Sequence, residues 1–262
     1  MKTAFFLILF LISTLPARED YKLELGVGVG SLYYPNYMGS KSIQMLIIPL
    51  PYIRYEGEFV RIDEDGLSGK LFGINGLRLD MSLSGSLPAS SDGGGAREGM
   101  PDLDLTGEVG PNLVYNIYEK GVAQLEFELP IRATLSTDFS SIAYRGIVSN
   151  PQFKYSLNYS EFEWTLRIGA IFSDSVYNNY YYGVEQKYVT PDRAAYTAEN
   201  GFSGFRHRVG MTYKKNRWWA GAFISYNDIS SATFRDSPLV ETTGALYMGA
   251  SVAYIFYTTK KY

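Results

Sequence analysis

The sequence predicts an all-β fold: an antiparallel transmembrane β-barrel of about 12 strands, with 10 strands as the alternative. Three observations lead to this prediction. Apolar and polar residues alternate with a period of two over runs longer than an ordinary strand. After residue 17, no apolar run approaches the roughly 20 residues that a membrane-spanning helix needs. The long connections between the runs all fall on alternate turns, which gathers them at one rim of a barrel.

The first 17 residues have the features of a secretory signal peptide. Lys2 supplies a positive charge, residues 5–12 are apolar, and Ala17 is small. We therefore predict a signal peptide over residues 1–17 and one barrel domain over residues 18–262, exported to the outer membrane of a Gram-negative bacterium. The 262 residues include no cysteine, which excludes a lipoprotein anchor and disulfides. The net charge of −3 gives no electrostatic attraction to nucleic acid, and we predict no such partner.

Alternation is clearest over residues 123–135, where Ala, Leu, Phe and Ile alternate with polar residues. This period places apolar side chains on one face of a strand. Runs of 12 residues or more suit a tilted strand that crosses a membrane, which needs about 9–11 residues. Pro130 lacks a backbone N–H, so we interpret it as a bulge or an end of pairing. The predicted strands are 21–33, 42–55, 58–64, 66–73, 76–87, 101–116, 121–136, 140–158, 161–173, 203–215, 218–229 and 243–257. Without the 58–73 hairpin, whose alternation is the weakest, the count is 10.

The connections predict which rim carries the loops. With a periplasmic N-terminus, segments 34–41, 88–100, 174–202 and 230–242 lie outside, and the intervening turns are short. A large soluble β-sandwich would not explain this asymmetry. Aromatic residues at the strand ends suit the membrane interface. They are Tyr33, Tyr34, Tyr52, Tyr55, Tyr115, Tyr118, Tyr155, Tyr159, Trp218 and Trp219. The tyrosine-rich segment 177–200 either closes the lumen or presents its rings to a partner.

The sequence offers little for catalysis. His207 is the only histidine, and it lies on the apolar face of a predicted strand, which favours a structural role over a catalytic one. Asp102 and Asp104 are two residues apart, which places both carboxylates on one strand face. We favour lumen ion pairs over a cation site. The expected partners are Arg78, Arg132 and Arg167. Further lumen charge is expected at Glu108, Glu126, Glu128, Glu161 and Glu163, balanced by Arg132, Arg167, Arg206 and Arg208. We predict no metal, no cofactor and no enzymatic activity.

Five segments, in this order along the chain, resemble the MltA-interacting protein family, also called MipA/OmpV. They are Tyr34-Pro35-Asn36-Tyr37 with Gly39-Ser40; Gly99 to Asp104 with Glu108 and Gly110; Tyr180 to Val184; Tyr196 with Asn200-Gly201-Phe202; and Asp236 to Val240. The segments span most of the chain after residue 17. They supply the candidate structural or partner-binding residues. These are Tyr34, Pro35, Gly39, Gly99, Met100, Pro101, Asp102, Asp104, Tyr180, Tyr182, Gly183, Gly201, Asp236, Ser237 and Pro238.

The resemblance implies an outer-membrane protein without catalytic residues. It also implies a scaffold that links a lytic murein transglycosylase to a peptidoglycan synthase in cell-wall remodelling. Those enzymes and outer-membrane lipid are the expected partners. Because the periplasmic turns are short, contact would use the periplasmic rim and the residues near Glu19 and Asp20. Three alternatives stay open: a small-solute porin or channel, a surface adhesin, and a lipid hydrolase that depends on His207.

Overall fold

The structure is a computed structural model, and it describes residues 21–57, 60–63, 66–74 and 76–259. The predicted signal peptide, and the contact predicted near Glu19 and Asp20, lie outside these residues. The strands are β1 Lys22–Pro35, β2 Ile43–Glu56, β3 Val60–Asp63, β4 Gly66–Ile74, β5 Leu77–Ser86, β6 Leu105–Lys120, β7 Ala123–Thr137, β8 Ile142–Ser149, β9 Gln152–Tyr159, β10 Phe162–Ser173, β11 Gly201–Lys215, β12 Trp218–Asp228 and β13 Gly244–Thr258. Helix α1 covers Ser175–Tyr182, and a short 3-10 turn covers Gln186–Tyr188.

The strands form one antiparallel ring. Apart from β8 and β9, each strand pairs with its neighbours in sequence, and β13 closes the ring by pairing with β1, from Glu24 opposite Thr258 to Tyr33 opposite Met248. β8 and β9 both lie between β7 and β10, so they are two parts of one interrupted strand. When they are taken together, the described residues form a ring of 12 strands. The predicted antiparallel barrel of about 12 strands is confirmed.

Two prolines explain the interruption between β8 and β9. Pro151 has no backbone N–H, so it cannot continue the ladder, and the prediction of one unbroken strand over 140–158 is wrong. Pro130 lies beside the break, because Glu128 of β7 pairs with β9 whereas Ile131 pairs with β8. The end of pairing predicted at Pro130 corresponds to the point at which β7 changes its partner from β9 to β8. The missing backbone N–H of Pro130 costs little stability, because the neighbouring strand is interrupted at this point.

Side chains alternate between the lumen and the outer face. Large apolar side chains on the outer face are exposed in the isolated chain, for example Ile47 at 65% and Val27 at 60%. They form the band that faces lipid. Polar side chains on the inner face are buried, among them Glu24, Glu126 and Arg132. No helix in the described part of the chain is long and apolar enough to cross a membrane.

Half of the ten predicted interface aromatics are exposed, namely Tyr115, Tyr118, Tyr155, Tyr159 and Trp218, whereas Tyr55 is only 8% exposed. Tyr52 and Trp219 do not follow this prediction. The Tyr52 hydroxyl donates to Glu24 Oε2 inside the barrel at 3.2 Å. The ring centroids of Tyr52 and Trp219 lie 5.4 Å apart. Trp219 lines a lumen cavity. Strand alternation explains the difference, because neighbouring aromatic residues such as Trp218 and Trp219 point to opposite faces.

The two rims differ as predicted. The periplasmic turns are tight: Ser160 and Asn216 adopt φ values of +56° and +57°, and Gly121 adopts +58°. The long connections lie together at the opposite rim. They cover residues 36–42, 87–104, 174–200 and 229–243.

Candidate functional site

The four long extracellular segments pack against one another over the mouth of the barrel, and we call them the cap (36–42, 87–104, 174–200 and 229–243). Their buried core is aromatic. The rings of Tyr182 and Phe234 stack with centroids 3.6 Å apart and planes 9° from parallel, and they are 1% and 0% exposed. Tyr37, Leu103 and Ile229 belong to the same buried cluster. Because residues far apart in sequence share one core, the cap is a folded unit rather than a set of free loops.

Helix α1 forms the roof of the lumen. Asp174 caps its first turn by accepting a hydrogen bond from the Tyr177 backbone N–H at 2.8 Å. The helix ends at Gly183. A larger residue would clash there, because its Cβ would lie only 2.7 Å from the Asn179 carbonyl oxygen. Tyr177, Tyr181 and Tyr182 are buried and line a cavity of about 320 Å³ below the helix. Of the two alternatives for segment 177–200, the structure shows closure of the lumen.

Two buried arginines join the cap segments. Arg97 donates to the Tyr181 carbonyl oxygen at 2.9 Å and to the Pro101 carbonyl oxygen at 3.1 Å. Arg193 donates to the carbonyl oxygens of Ala96 and Glu98, each at 2.8 Å. Burial lowers the pKa of Arg97 from its ordinary value. Neither arginine is predictable from the sequence, because a loop has no periodicity that marks a buried cation.

Most of the family-motif residues meet in the cap. The Ser237 hydroxyl donates to the Tyr182 carbonyl oxygen at 2.7 Å, and the Tyr182 hydroxyl donates to the Met38 carbonyl oxygen at 2.9 Å. Met100 packs with Val184 and Leu239 in a second buried cluster. Three motif segments that are far apart in the sequence are therefore joined within one folded unit.

Glycines occupy positions where other residues would be strained. Gly39 has a φ of +100°, and its carbonyl oxygen accepts from the backbone N–H groups of Glu241 at 2.8 Å and Thr242 at 3.1 Å. Gly99 and Gly201 have φ values of +73° and +142°. Each lies in the cap or at its border.

The remaining motif residues contribute less to the cap. Tyr34 and Pro35 end β1 below it. Pro238 is partly buried. Asp236 is exposed and lies 3.6 Å from Arg235.

The predicted roles of Asp102 and Asp104 in a lumen strand are wrong. β6 begins only at Leu105, so both aspartates lie in the cap. Asp102 accepts from the Ser91 backbone N–H at 2.6 Å. Asp104 lies 3.5 Å from Arg145, and its backbone N–H donates to the Tyr180 hydroxyl at 2.8 Å. The Asp102 carboxylate fastens a loop and that of Asp104 ties the cap to Arg145 of β8, because the ladder between β5 and β6 ends at Ser86 opposite Thr106 and does not include the two aspartates.

Buried tyrosines make closure of the cap sensitive to alkali. Burial raises the pKa of Tyr180 to about 12 and raises that of Tyr177, Tyr181 and Tyr182 from the ordinary value of 10.0. Below pH 10 these tyrosines are protonated whether the cap is closed or open. Above pH 10 the open cap releases protons that the closed cap retains, so closure weakens as pH rises towards 12.

We expect the cap to open reversibly between pH 10 and 12. The measurement is the rate at which an alkaline-active protease cleaves the cap in reconstituted protein. Gel mobility before and after boiling in SDS reports whether the barrel itself stays folded. Cleavage that accelerates well below pH 10, or that does not return to its initial rate after neutralisation, would contradict this account.

The lumen below the cap is lined by charged and amide side chains. Arg132 lies 3.7 Å from Glu108, as the predicted lumen ion pairs require, and Arg78 lies 2.6 Å from Asp80. Glu128 accepts from Gln152. At the periplasmic end, the carboxylate of Glu24 in β1 reaches across to Lys214 in β11 and also lies 3.2 Å from Lys22. An ion-pair network therefore crosses the inner end of the lumen.

Two other predicted positions lie away from the lumen. Glu161 sits in a periplasmic turn and pairs with Lys215 at 3.4 Å, so its predicted place in the interior is wrong. His207 is exposed on the outer face of β11, opposite Ile168 and Tyr226. This is the apolar strand face on which the sequence placed His207. In the described part of the chain, no three His, Asp or Glu side chains are grouped so as to hold a metal ion.

Three cavities divide the lumen, with volumes of about 320, 260 and 210 Å³, and Arg208 borders all of them. Basic side chains exceed acidic ones among their described lining residues. The basic residues are Arg61, Arg78, Arg132, Lys154, Arg167, Arg206 and Arg208. The acidic residues are Asp80, Glu108, Glu128 and Glu163.

A family model described as MltA-interacting protein MipA matches residues 27–256. The chain belongs to this family. The MipA match includes every segment of the cap and nearly all of the barrel. Outer membrane protein Omp26La of Vibrio anguillarum is 28% identical over 215 residues, which cover 77% of this chain and 76% of the relative. Outer membrane protein OmpV of Vibrio cholerae is 28% identical over 212 residues, with the same coverage. This MipA-family chain is an outer-membrane protein.

Solved outer-membrane structures share a distant likeness with this MipA-family barrel. The TodX ΔS2S3 mutant monoaromatic hydrocarbon channel superimposes with a TM-score of 0.37 at 9% identity, covering 96% of this chain and 92% of that one. The outer membrane channel DcaP of Acinetobacter baumannii gives a TM-score of 0.33 at 10% identity, covering 92% and 99%.

Proposed function

We propose that this outer-membrane barrel is a small-solute channel whose extracellular mouth is closed by the cap. One observation carries the proposal: the lumen is not filled by a packed core. Cavities of about 320, 260 and 210 Å³ adjoin at Arg208, between the cap above and the Glu24–Lys214 pair below. Barrels of about eight strands are filled by interior side chains, and a ring of 12 strands encloses a wider lumen. Opening of the cap would connect these cavities to the outside.

Conductance in planar bilayers tests the channel. We expect the intact protein to be mostly closed and a variant with residues 177–200 replaced by a short Gly-Ser linker to conduct steadily. Because that segment lies between β10 and β11, every strand is retained. The mobility of each protein before and after boiling in SDS verifies the fold. Absence of conductance in a correctly folded cap-deleted barrel would refute the proposal.

A second proposal is the scaffold role, in which the barrel anchors a lytic murein transglycosylase and a peptidoglycan synthase. The family description, which names an MltA partner, favours it. The surface open to periplasmic enzymes is the rim of tight turns. It includes Glu161, Lys215, Arg217 and Lys120.

A photo-crosslinking amino acid at Arg217 tests the scaffold, with Phe139 at the extracellular rim as the matched position. We expect residue 217, and not residue 139, to capture a murein transglycosylase in intact envelopes. Capture at neither position, or equally at both, would count against the scaffold and leave the channel proposal untouched.

A further inference from the structure

Arg206 of β11 lies in the lumen with its guanidinium group held by two buried amides. Its Nε donates to Asn227 Oδ1 at 3.1 Å, and its Nη1 donates to Asn150 Oδ1 at 3.3 Å. Asn227 is directly opposite Arg206 in the ladder between β11 and β12. Because both asparagines are buried, they fix the position of the guanidinium group. A cation is therefore held at a defined place in the lumen by neutral partners.

The break between β8 and β9 supplies one of these amides. The Ala170 backbone N–H donates to the Pro151 carbonyl oxygen at 3.0 Å, but Pro151 has no N–H to complete the pair. Asn150 Nδ2 donates to the Ala170 carbonyl oxygen instead, at 2.7 Å. This bond orients the Asn150 side chain so that its Oδ1 accepts from Arg206. The interrupted strand thus helps to place the cation.

Arg206 retains donors for a ligand. A guanidinium group has five N–H donors, and the bonds to the two asparagines use two of them. In the part of the chain that the structure describes, no carboxylate pairs with Arg206. The residue lines the cavity of about 320 Å³ below helix α1. Its remaining donors suit an anionic group, because charge-assisted hydrogen bonds are the strong ones.

Glu108 of β6 lines the same cavity and lacks donors. Its ion pair with Arg132 spans 3.7 Å, which is longer than a hydrogen bond. No residue that the structure describes donates a hydrogen bond to Glu108, although its side chain is only 13% exposed. Burial of a charge is costly unless the group is paired and hydrogen-bonded. Glu108 therefore suits a ligand that brings N–H donors.

Arg206 and Glu108 are close to each other without touching. Burial and Tyr181 are the larger causes of the raised pKa of Tyr177. The charge of Glu108 raises this pKa further, and that of Arg206 lowers it, so both lie near the Tyr177 hydroxyl. Within the described chain, the two side chains form no ion pair with each other. A molecule with an anionic and an ammonium group would serve both.

We propose that the cavity below helix α1 binds a small zwitterionic amino acid, with its carboxylate on Arg206 and its ammonium group on Glu108. A volume of about 320 Å³ lies at the lower end of ligand pockets, which suits a solute of this size. Val148, Ile171 and Phe223 supply apolar wall for the ligand's side chain. The inference deepens the proposed channel, because it rests on a lumen that solutes enter, and it names the class of solute.

Isothermal titration calorimetry of the full chain in nanodiscs tests the site, with empty nanodiscs as the background. The probes are L-leucine, isocaproate and isoamylamine. Isocaproate lacks only the ammonium group of L-leucine, and isoamylamine lacks only its carboxylate. We expect saturable binding of L-leucine and at least about tenfold weaker binding of each analogue, as the loss of one charge-assisted contact implies.

Two variants assign the two ends of the ligand. Arg206→Gln should weaken the binding of L-leucine and isocaproate at least about tenfold and leave that of isoamylamine unchanged. Glu108→Gln should weaken L-leucine and isoamylamine and should not weaken isocaproate. Arg217→Gln and Glu185→Gln remove the same charges from exposed positions and should leave the affinity for L-leucine unchanged. Gel mobility before and after boiling in SDS verifies the fold of every variant.

A closed cap must not conceal the site, so the titration is repeated with Phe234→Ala, which removes the ring stacked on Tyr182 in the cap core. Absence of saturable L-leucine binding in both proteins would overturn the inference. Isocaproate or isoamylamine binding as tightly as L-leucine would also overturn it, since one charge would then go unrecognised. Unchanged affinity in correctly folded Arg206→Gln and Glu108→Gln would place the ligand elsewhere.

Binding and conductance are separate measurements, so the site and the channel can fail independently. Saturable L-leucine binding without conductance in the cap-deleted barrel would refute the channel and retain the amino-acid site. Conductance without saturable binding would retain the channel and refute the site.

Discussion

Phe234→Ala is expected to open the cap while leaving the barrel folded. Phe234 is 0% exposed, and its ring stacks on Tyr182 at 3.6 Å. Replacing a buried phenylalanine by alanine costs about 3–5 kcal/mol. This cost falls on closure of the cap, because the core it disrupts joins loops and not strands. A loss of about 3 kcal/mol raises the open population on the order of a hundredfold.

Limited trypsin digestion of whole cells measures this opening. Arg97 and Arg193 are each 8% exposed, so cleavage after them requires an open cap, and the rate of cleavage at these two sites follows the open population. The fragments are assigned by mass spectrometry, because Lys187 and Arg235 in the cap are exposed and can be cleaved while the cap is closed. We expect cleavage to accelerate by about a hundredfold. Phe139→Ala is the matched control, since Phe139 lies at the same rim and is 87% exposed. A rate within about twofold of the unaltered protein would mean that the aromatic core does not hold the cap closed.

Glu24→Gln is expected to be the most destabilising single change in the lower barrel. Glu24 is 2% exposed, and its carboxylate contacts Lys214, Lys22 at 3.2 Å and the Tyr52 hydroxyl at 3.2 Å. Its loss leaves two cations facing each other without their shared anion. Removing one partner of a buried pair costs about 3–5 kcal/mol, and we expect the lower value because the Lys214 side chain is 29% exposed.

The free energy of unfolding, from urea titration of the reconstituted barrel, measures this effect. Glu24→Gln combined with Lys214→Met should recover most of the loss, since replacing a buried pair by apolar groups is often neutral. Glu185→Gln is the surface control. It breaks an exposed pair with Lys187 at 2.9 Å and should cost less than about 1 kcal/mol. A double variant as unstable as Glu24→Gln alone would show that the carboxylate acts through contacts other than Lys214.

The barrel strands were predictable because their rule is local. Each lumen or lipid position follows from a neighbour two residues away, so the alternation over 123–135 places Glu126 and Arg132 inside before any contact is known. The exceptions are positions where the next strand matters. β6 begins at Leu105 rather than at residue 101, and Pro130 is accommodated only because β8 ends opposite it.

The cap followed no such rule. Arg97 is a loop residue with no pattern around it, yet it donates to carbonyl oxygens of two segments. Asp102 and Asp104 had the spacing of a strand face and became loop anchors instead. Most segments that carry the family resemblance lie in the cap, although the resemblance did not indicate that they meet above the lumen.

The sequence by itself determined an exported outer-membrane barrel of about 12 strands with its long connections at one rim, because a two-residue period and loop lengths are properties of neighbouring residues. Only the tertiary structure decided that those connections form one folded cap, that β8 and β9 are parts of one interrupted strand, and that Glu24 reaches Lys214 across the lumen. These features arise from ring closure and loop packing, which bring together residues more than 200 positions apart, as when Tyr37 donates to the Leu239 carbonyl oxygen.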